Sequence, residues 1–185
     1  MKSTLGVLAL LFAVSATTPD AATPQKAAPA ANSLPATYIS AAAIQANLNG
    51  APDAATNPSP NVRVVDAGGY NVAVGVLHRP QTPPGGVAVH FKVTEVYHVM
   101  DGAATLVTGG TVVNAKMRPP DALSVRLEDG PGESGTSIDG GVSQRIKAGD
   151  VVVIPAGTPH WFSSIEGSIT YVVVRFDPNR LLAPK

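Results

Sequence analysis

From residue 62 onward, short apolar runs alternate with turn residues. Val62-Arg63-Val64-Val65 precedes the turn Ala67-Gly68-Gly69, and residues 71–77 form a second run before a loop at 80–86. Val87–His90 and residues 95–100 read as strands with a short break between them. Asp101-Gly102 has hairpin composition, with residues 104–108 returning and Gly109-Gly110 turning into Thr111–Val113. Residues 141–146, 151–154, 161–165 and 168–176 complete the set. Val151–Ile154 is a continuous β-branched run, the pattern of a strand covered on both faces. Residues 115–140 hold Pro119-Pro120, Asp129-Gly130-Pro131-Gly132 and Gly140-Gly141 with little periodicity, which predicts a long loop or insertion. About ten short strands with regular turns predict an all-β sandwich or small barrel.

The pattern changes upstream. Ser40 is a good N-cap, Ile39 and Ile44 are spaced as a hydrophobic staple, and Gly50 sits where a short helix would stop. With Leu48 continuing the apolar face, this helix is expected on the outside of the main domain, within an N-terminal extension over 36–58. Residues 17–35 are mostly Ala, Thr, Pro, Ser and Asn and read as a flexible linker. Lys2, the apolar run 5–14 and the small residues Val14-Ser15-Ala16 have the make-up of a secretory signal peptide over 1–16. The run is shorter than the roughly 20 residues that span a bilayer, and no cysteine follows to carry a lipid. The expected location is therefore secreted or periplasmic, with no membrane anchor.

Composition narrows the functional classes. Lys plus Arg equals Asp plus Glu at 13 each, and no basic run is interleaved with aromatics, which excludes an electrostatic nucleic-acid partner. The chain has no cysteine and so no disulfide or thiolate zinc site. There is no G-x-S-x-G, phosphate loop or H-E-x-x-H.

Chemistry concentrates around two histidines and a glutamate. Gly149 to His160 spells G-x5-P-x-G-x2-H: a turn, the Val151–Ile154 strand, a second turn and a histidine opening the next strand. Upstream, Glu95 to Gly102 gives E-x6-G, and four residues separate His90 from Glu95. These two stretches resemble the paired signatures of the cupin superfamily over residues 60–178. The first is degraded: Ala88 stands where the first histidine of H-x-H would be, and Thr82 where its opening glycine would be. The resemblance implies a double-stranded β-helix, or jelly-roll, barrel over 60–178 with a C-terminal tail at 179–185. It implies that His90, Glu95 and His160 meet at one divalent metal, Fe, Mn, Ni or Zn, short of a fourth protein ligand because of Ala88. Two imidazoles and a carboxylate form the facial triad of Fe(II) oxygen chemistry. The alternative is a degenerate barrel in which the three are polar relics satisfied by hydrogen bonds.

Strand alternation sorts the neighbours. Glu95, Tyr97 and Val99 share one face and His98 takes the other; His160, Phe162 and Ser164 share a face. Tyr97 and Phe162 are expected to line the cavity, or else to be ordinary core. His78 is either a mouth residue touching substrate or a surface strand end. Arg175, alternating with Tyr171 and Val173, is either an inward guanidinium suited to a carboxylate substrate or a solvated strand end. The functional alternatives are an exported small-molecule metalloenzyme (dioxygenase-like, isomerase or lyase) and a non-catalytic small-ligand-binding cupin. The resemblance also leaves open a homodimer paired through its sheets.

Overall fold

A computed structural model describes residues 34–50, 61–81 and 86–185. The signal-peptide expectation, nearly all of the 17–35 linker and the end of the 36–58 extension lie outside the described residues. Helix α1 (Ala41–Gly50) starts as its cap predicts: the Ala43 N–H donates to the Ser40 hydroxyl at 3.1 Å. Its half-buried residues Ala43, Ile44, Asn47 and Leu48 form one face, and the helix lies against the strand Asn71–Pro80. Among the described residues no helix is long and apolar enough to cross a membrane.

The rest is antiparallel β-structure: β1 (Asn61–Asp66), β2 (Asn71–Pro80), β3 (Val87–His90), β4 (Thr94–Thr108), β5 (Thr111–Val113), β6 (Lys116–Met117), β7 (Gly132–Gly135), β8 (Ser137–Asp139), β9 (Val142–Lys147), β10 (Val151–Ile154) and β11 (His160–Asp177). Two long strands organise the barrel. β4 and β11 pair along their whole lengths, from His160 opposite Thr108 to Phe176 opposite Thr94. On the free edge of β4, its first half takes β10 and its second half takes β9. On the free edge of β11, residues 168–177 take β2, while His160 pairs Ala88 of β3. Beyond these come β1 on one side and β7 and β6 on the other. Each long strand therefore belongs to both halves of the barrel, and the halves enclose one core. Tyr97, Val99, Tyr171 and Val173 from one half meet Leu106, Ile146, Phe162 and Ile165 from the other. Large residues such as Tyr171, Leu106 and Ile169 are fully buried, each stabilising the fold by roughly 1.5–3 kcal/mol.

Four expectations are corrected. Asp101-Gly102 is not a hairpin but a bend inside β4. Gly102 has φ +78° and faces the Ser168 carbonyl, with which a Cβ would collide; the positive φ kinks the strand without ending it. Likewise 161–165 and 168–176 are one strand, with register shifts near Ser163 and Gly167. The first shift turns Ile165 inward and leaves Ser164 exposed, so Ser164 does not share the face of His160 and Phe162. Val151–Ile154 is not covered on both faces: β10 pairs only with β4, and Val151 and Val153 are each 61% exposed. β-Branching there satisfies strand geometry at an edge rather than burial. Finally, residues 115–140 are no single loop. They supply β6, β7 and β8 and a five-residue helical turn, Val125–Asp129, and β7 pairs all four residues of β3.

The last residues, set apart as a tail in the sequence, pack back on the barrel. Leu182 is fully buried with Val64 and Ala73, and Lys185 exchanges backbone hydrogen bonds with Val64.

Candidate metal centre

His90 ends β3, Glu95 lies one residue into β4 and His160 opens β11. Their separation along the chain vanishes because β11 runs beside both other strands. All three are buried, and one ligand atom from each lies within 4.8 Å of the others. Nε2 of His160 is 3.3 Å and Nε2 of His90 3.5 Å from the same Glu95 oxygen, Oε2. Ligands held about 2.1 Å from one ion stand roughly 3.0–3.5 Å apart, so these spacings fit the edges of a coordination polyhedron. Ala88 pairs directly with His160 and shares the face of His90, which places its methyl group beside the cluster.

The carboxylate is heavily supported. Arg175 points inward and is 4% exposed; its Nε donates to Glu95 Oε1 at 2.8 Å and its Nη1 to Asn61 Oδ1 at 2.8 Å. Asn61 in turn donates to the Leu127 carbonyl at 2.9 Å. The Tyr97 hydroxyl donates to Glu95 Oε2 at 2.9 Å. Burial alone would raise the Glu95 pKa, but His90 and then Arg175 overcome it and hold the carboxyl well below its ordinary value. Burial, followed by the Glu95 charge, drives Tyr97 well above the ordinary phenol value, so it remains a donor.

The two imidazoles are held differently. His160 Nδ1 lies 3.1 Å from the Thr158 carbonyl, which can only accept, so the proton of the neutral ring sits on Nδ1. Burial pushes its pKa down to about 4, against the Glu95 charge, and the ring is neutral at pH 7. His90 Nδ1 faces two side chains: Arg118 Nη2 at 2.8 Å and Asp129 Oδ2 at 3.5 Å. Arg118 also binds Asp129 Oδ1 at 2.8 Å and the Val89 carbonyl at 3.2 Å.

Tyr97 and Phe162 lie beside the cluster. The Tyr97 ring is 6.3 Å from that of His160 and packs on Phe162 and Tyr171. His78 is not brought in: it shares the outward face of β2 with Val76 and bonds Thr170 at 2.9 Å. His98 is exposed, as its alternation predicts. Arg118, Asp129, Asn61 and Arg79 were not singled out from the sequence. The first two lie in a stretch with no periodic signal. Arg79 was discoverable, because it continues the inward alternation of Leu77 once β2 is read to Pro80. Its Nε donates to the Tyr171 hydroxyl at 2.9 Å, and its guanidinium lies 5.8 Å over Phe162.

The family profile described as Cupin matches residues 46–181. No curated protein matches the sequence. Among solved structures the chain is similar to DMSP lyase DddQ from Ruegeria pomeroyi DSS-3, at 18% identity and TM-score 0.38; the match covers 62% of this chain and 42% of the lyase. It is similar to a Bacillus halodurans protein at 12% identity and TM-score 0.44, over 78% of this chain and 84% of that one. It is also similar to hydroquinone 1,2-dioxygenase from Sphingomonas sp. TTNP3, solved with 4-hydroxybenzoate bound, at 12% identity and TM-score 0.40, over 57% and 59% of the two chains.

Proposed function

The chain belongs to the cupin family, and from that premise we propose that it is an exported small-molecule metalloenzyme holding one divalent ion on His90, Glu95 and His160. One observation carries the metal reading. With its proton donated to Thr158, His160 presents the bare Nε2 lone pair to a carboxylate oxygen 3.3 Å away. Two acceptors so placed in a buried site repel each other unless a cation lies between them. A divalent ion there meets both lone pairs. The export reading is supported by Lys2, the apolar run 5–14 and Ala16.

An ion so held supplies Lewis-acid polarisation and, as iron, the oxygen chemistry of a two-histidine, one-carboxylate centre. The chain's own residues do the rest. Tyr97 and Arg175 fix the rotamer of Glu95. Phe162, Tyr97 and Tyr171 form an aromatic wall that excludes water from beside the cluster. Arg175 is already engaged by Glu95 and Asn61, whereas Arg79 has no carboxylate partner among the described residues. An unpaired guanidinium among aromatic rings favours a small anionic substrate.

The second reading, a ligand-binding barrel without catalysis, is favoured by Ala88 and by the Glu95–Arg175 pair, which compensates the carboxylate without an ion. Elemental analysis after reconstitution with Fe, Mn, Ni and Zn separates the two. The expected result is about one equivalent in the wild type, most of it lost in His160→Ala and tighter retention in Ala88→His. A wild type that retains no ion leaves the ligand-binding reading. Detection of an intact Met1 in a cytosolic fraction of the native host overturns export.

A further inference from the structure

We infer that Arg118 and Asp129 select the tautomer of His90 and thereby decide whether this histidine can ligate a metal; the consequence for metal rests on the reading above, the tautomer does not. A guanidinium only donates. Its Nη2, 2.8 Å from His90 Nδ1, therefore needs a bare Nδ1, and the neutral ring then carries its proton on Nε2. That proton points toward Glu95 Oε2, where the ion would sit. Ligation through Nε2 requires the opposite tautomer, with Nδ1–H donated to an acceptor. Asp129 Oδ2, 3.5 Å from Nδ1, is that acceptor. Arg118 and Asp129 thus compete for one nitrogen, and the shorter contact belongs to the residue that opposes the metal.

Three features make the two states accessible. Arg118 Nε is buried with no hydrogen-bond partner among the described residues, so the guanidinium is not locked by full satisfaction. Its Nη1 bond to Asp129 Oδ1 tethers it while Nη2, which also donates to the Val89 carbonyl, releases His90 Nδ1. Gly132, directly opposite His90 on β7, leaves the space it occupies; a Cβ there would collide with Arg118 Nη2 and the Val89 carbonyl. The exchange needs no redox partner. The Nε2 proton leaves to solvent and Nδ1 takes one up from solvent, sharing it with Asp129 Oδ2 in a hydrogen bond, so the two tautomers carry the same number of protons. Among the described residues His160 has no such competitor at Nδ1, which faces the Thr158 carbonyl.

The test uses nitrogen NMR of 15N-histidine-labelled full-length protein at neutral pH and zinc affinity by chelator competition. In the metal-free wild type, His90 should carry its proton on Nε2 while His160 carries it on Nδ1, and zinc should move the His90 proton to Nδ1. Arg118→Met should show Nδ1–H at His90 before metal is added and bind zinc about tenfold more tightly. Asp129→Asn, a weaker acceptor, should bind zinc about tenfold less tightly. A purely structural role would weaken binding in both variants. If Arg118→Met does not fold, Arg118→Lys should shift in the same direction by a smaller factor, because one ammonium cannot span both partners. Nδ1–H at His90 in the metal-free wild type, or unchanged or weaker zinc binding in both Arg118 variants, overturns the inference. Wild type that binds no zinc, yet shows the tautomer exchange on Arg118→Met, keeps the selector and removes the metal reading instead.

Discussion

Two arginine–glutamate pairs of similar geometry lie at opposite ends of β11's environment. Inside the barrel, Arg175 Nε meets Glu95 at 2.8 Å; on the surface, Arg145 meets Glu166 through two contacts of 2.7 Å. By distance the surface pair is the better one. Their side chains are 5% and 1% exposed in the first pair and 53% and 51% in the second. Water screens the surface charges and solvates either partner if the other is lost, so the pair contributes little. The interior pair has no such substitute. Each charge there is tolerable only because of the other, together with Tyr97 and Asn61. Burial, not bond length, separates a decorative pair from one on which the centre depends.

The largest test of that contrast is Arg175→Ala in metal-stripped protein. It leaves Glu95 as an uncompensated buried charge and should cost about 3–5 kcal/mol in urea unfolding at neutral pH. The double change Glu95→Leu with Arg175→Met should recover most of the loss, because apolar side chains of similar volume suit the same space. A loss below about 1 kcal/mol would show that something else balances Glu95.

Acid tests the interior half of this contrast through His160. The His160 pKa is about 4 in the folded protein against an ordinary 6.5. Between those values the unfolded chain binds a proton that the fold refuses, so His160 contributes a loss of stability of up to about 3 kcal/mol as pH drops from 6.5 to 4. It is opposed by Glu128, whose carboxyl is pushed by burial up to about 7 and so gains a proton more readily in the fold. Glu95, depressed in the fold, adds a further loss below the ordinary carboxylate range. Across this window the urea midpoint of the metal-free wild type should fall relative to that of His160→Gln as the pH drops. Equal slopes would mean that His160 is charged in the fold.

A smaller effect is expected for Tyr97→Phe, which deletes one hydrogen bond to the carboxylate and should cost about 1.5 kcal/mol. Replacing Tyr38, which is 86% exposed, by Phe should cost nothing by the same assay. The smallest effect is on the surface pair: Glu166→Gln should leave the melting temperature unchanged within error, at low and at high salt alike.

Sequence by itself determined the all-β class, most strand positions, the capped helix and the three residues His90, Glu95 and His160. The elements rest on local rules (β-branched runs, period-two alternation, glycine at turns), and the three residues on the resemblance of their two stretches to the cupin signatures. Alternation also placed Tyr97 inward and His98 outward without any tertiary information. Tertiary structure decided what local rules do not encode. Gly102 and Gly167 look like hairpin ends, and only the pairing of β4 with β11 across both shows that they are bends. Val151 and Val153 look buried, and only the strand order places them at an edge. Arg175 could be read either way until the barrel put Asn61 and Glu95 within reach of its fork. Arg118 and Asp129 had no signal at all, because a guanidinium and a carboxylate in an aperiodic segment acquire meaning only when β7 lays that segment against β3. The three cluster residues were legible because they occupy fixed places in the two stretches that resemble the cupin signatures; their partners were not, because a hydrogen bond between residues distant in the chain leaves no period behind.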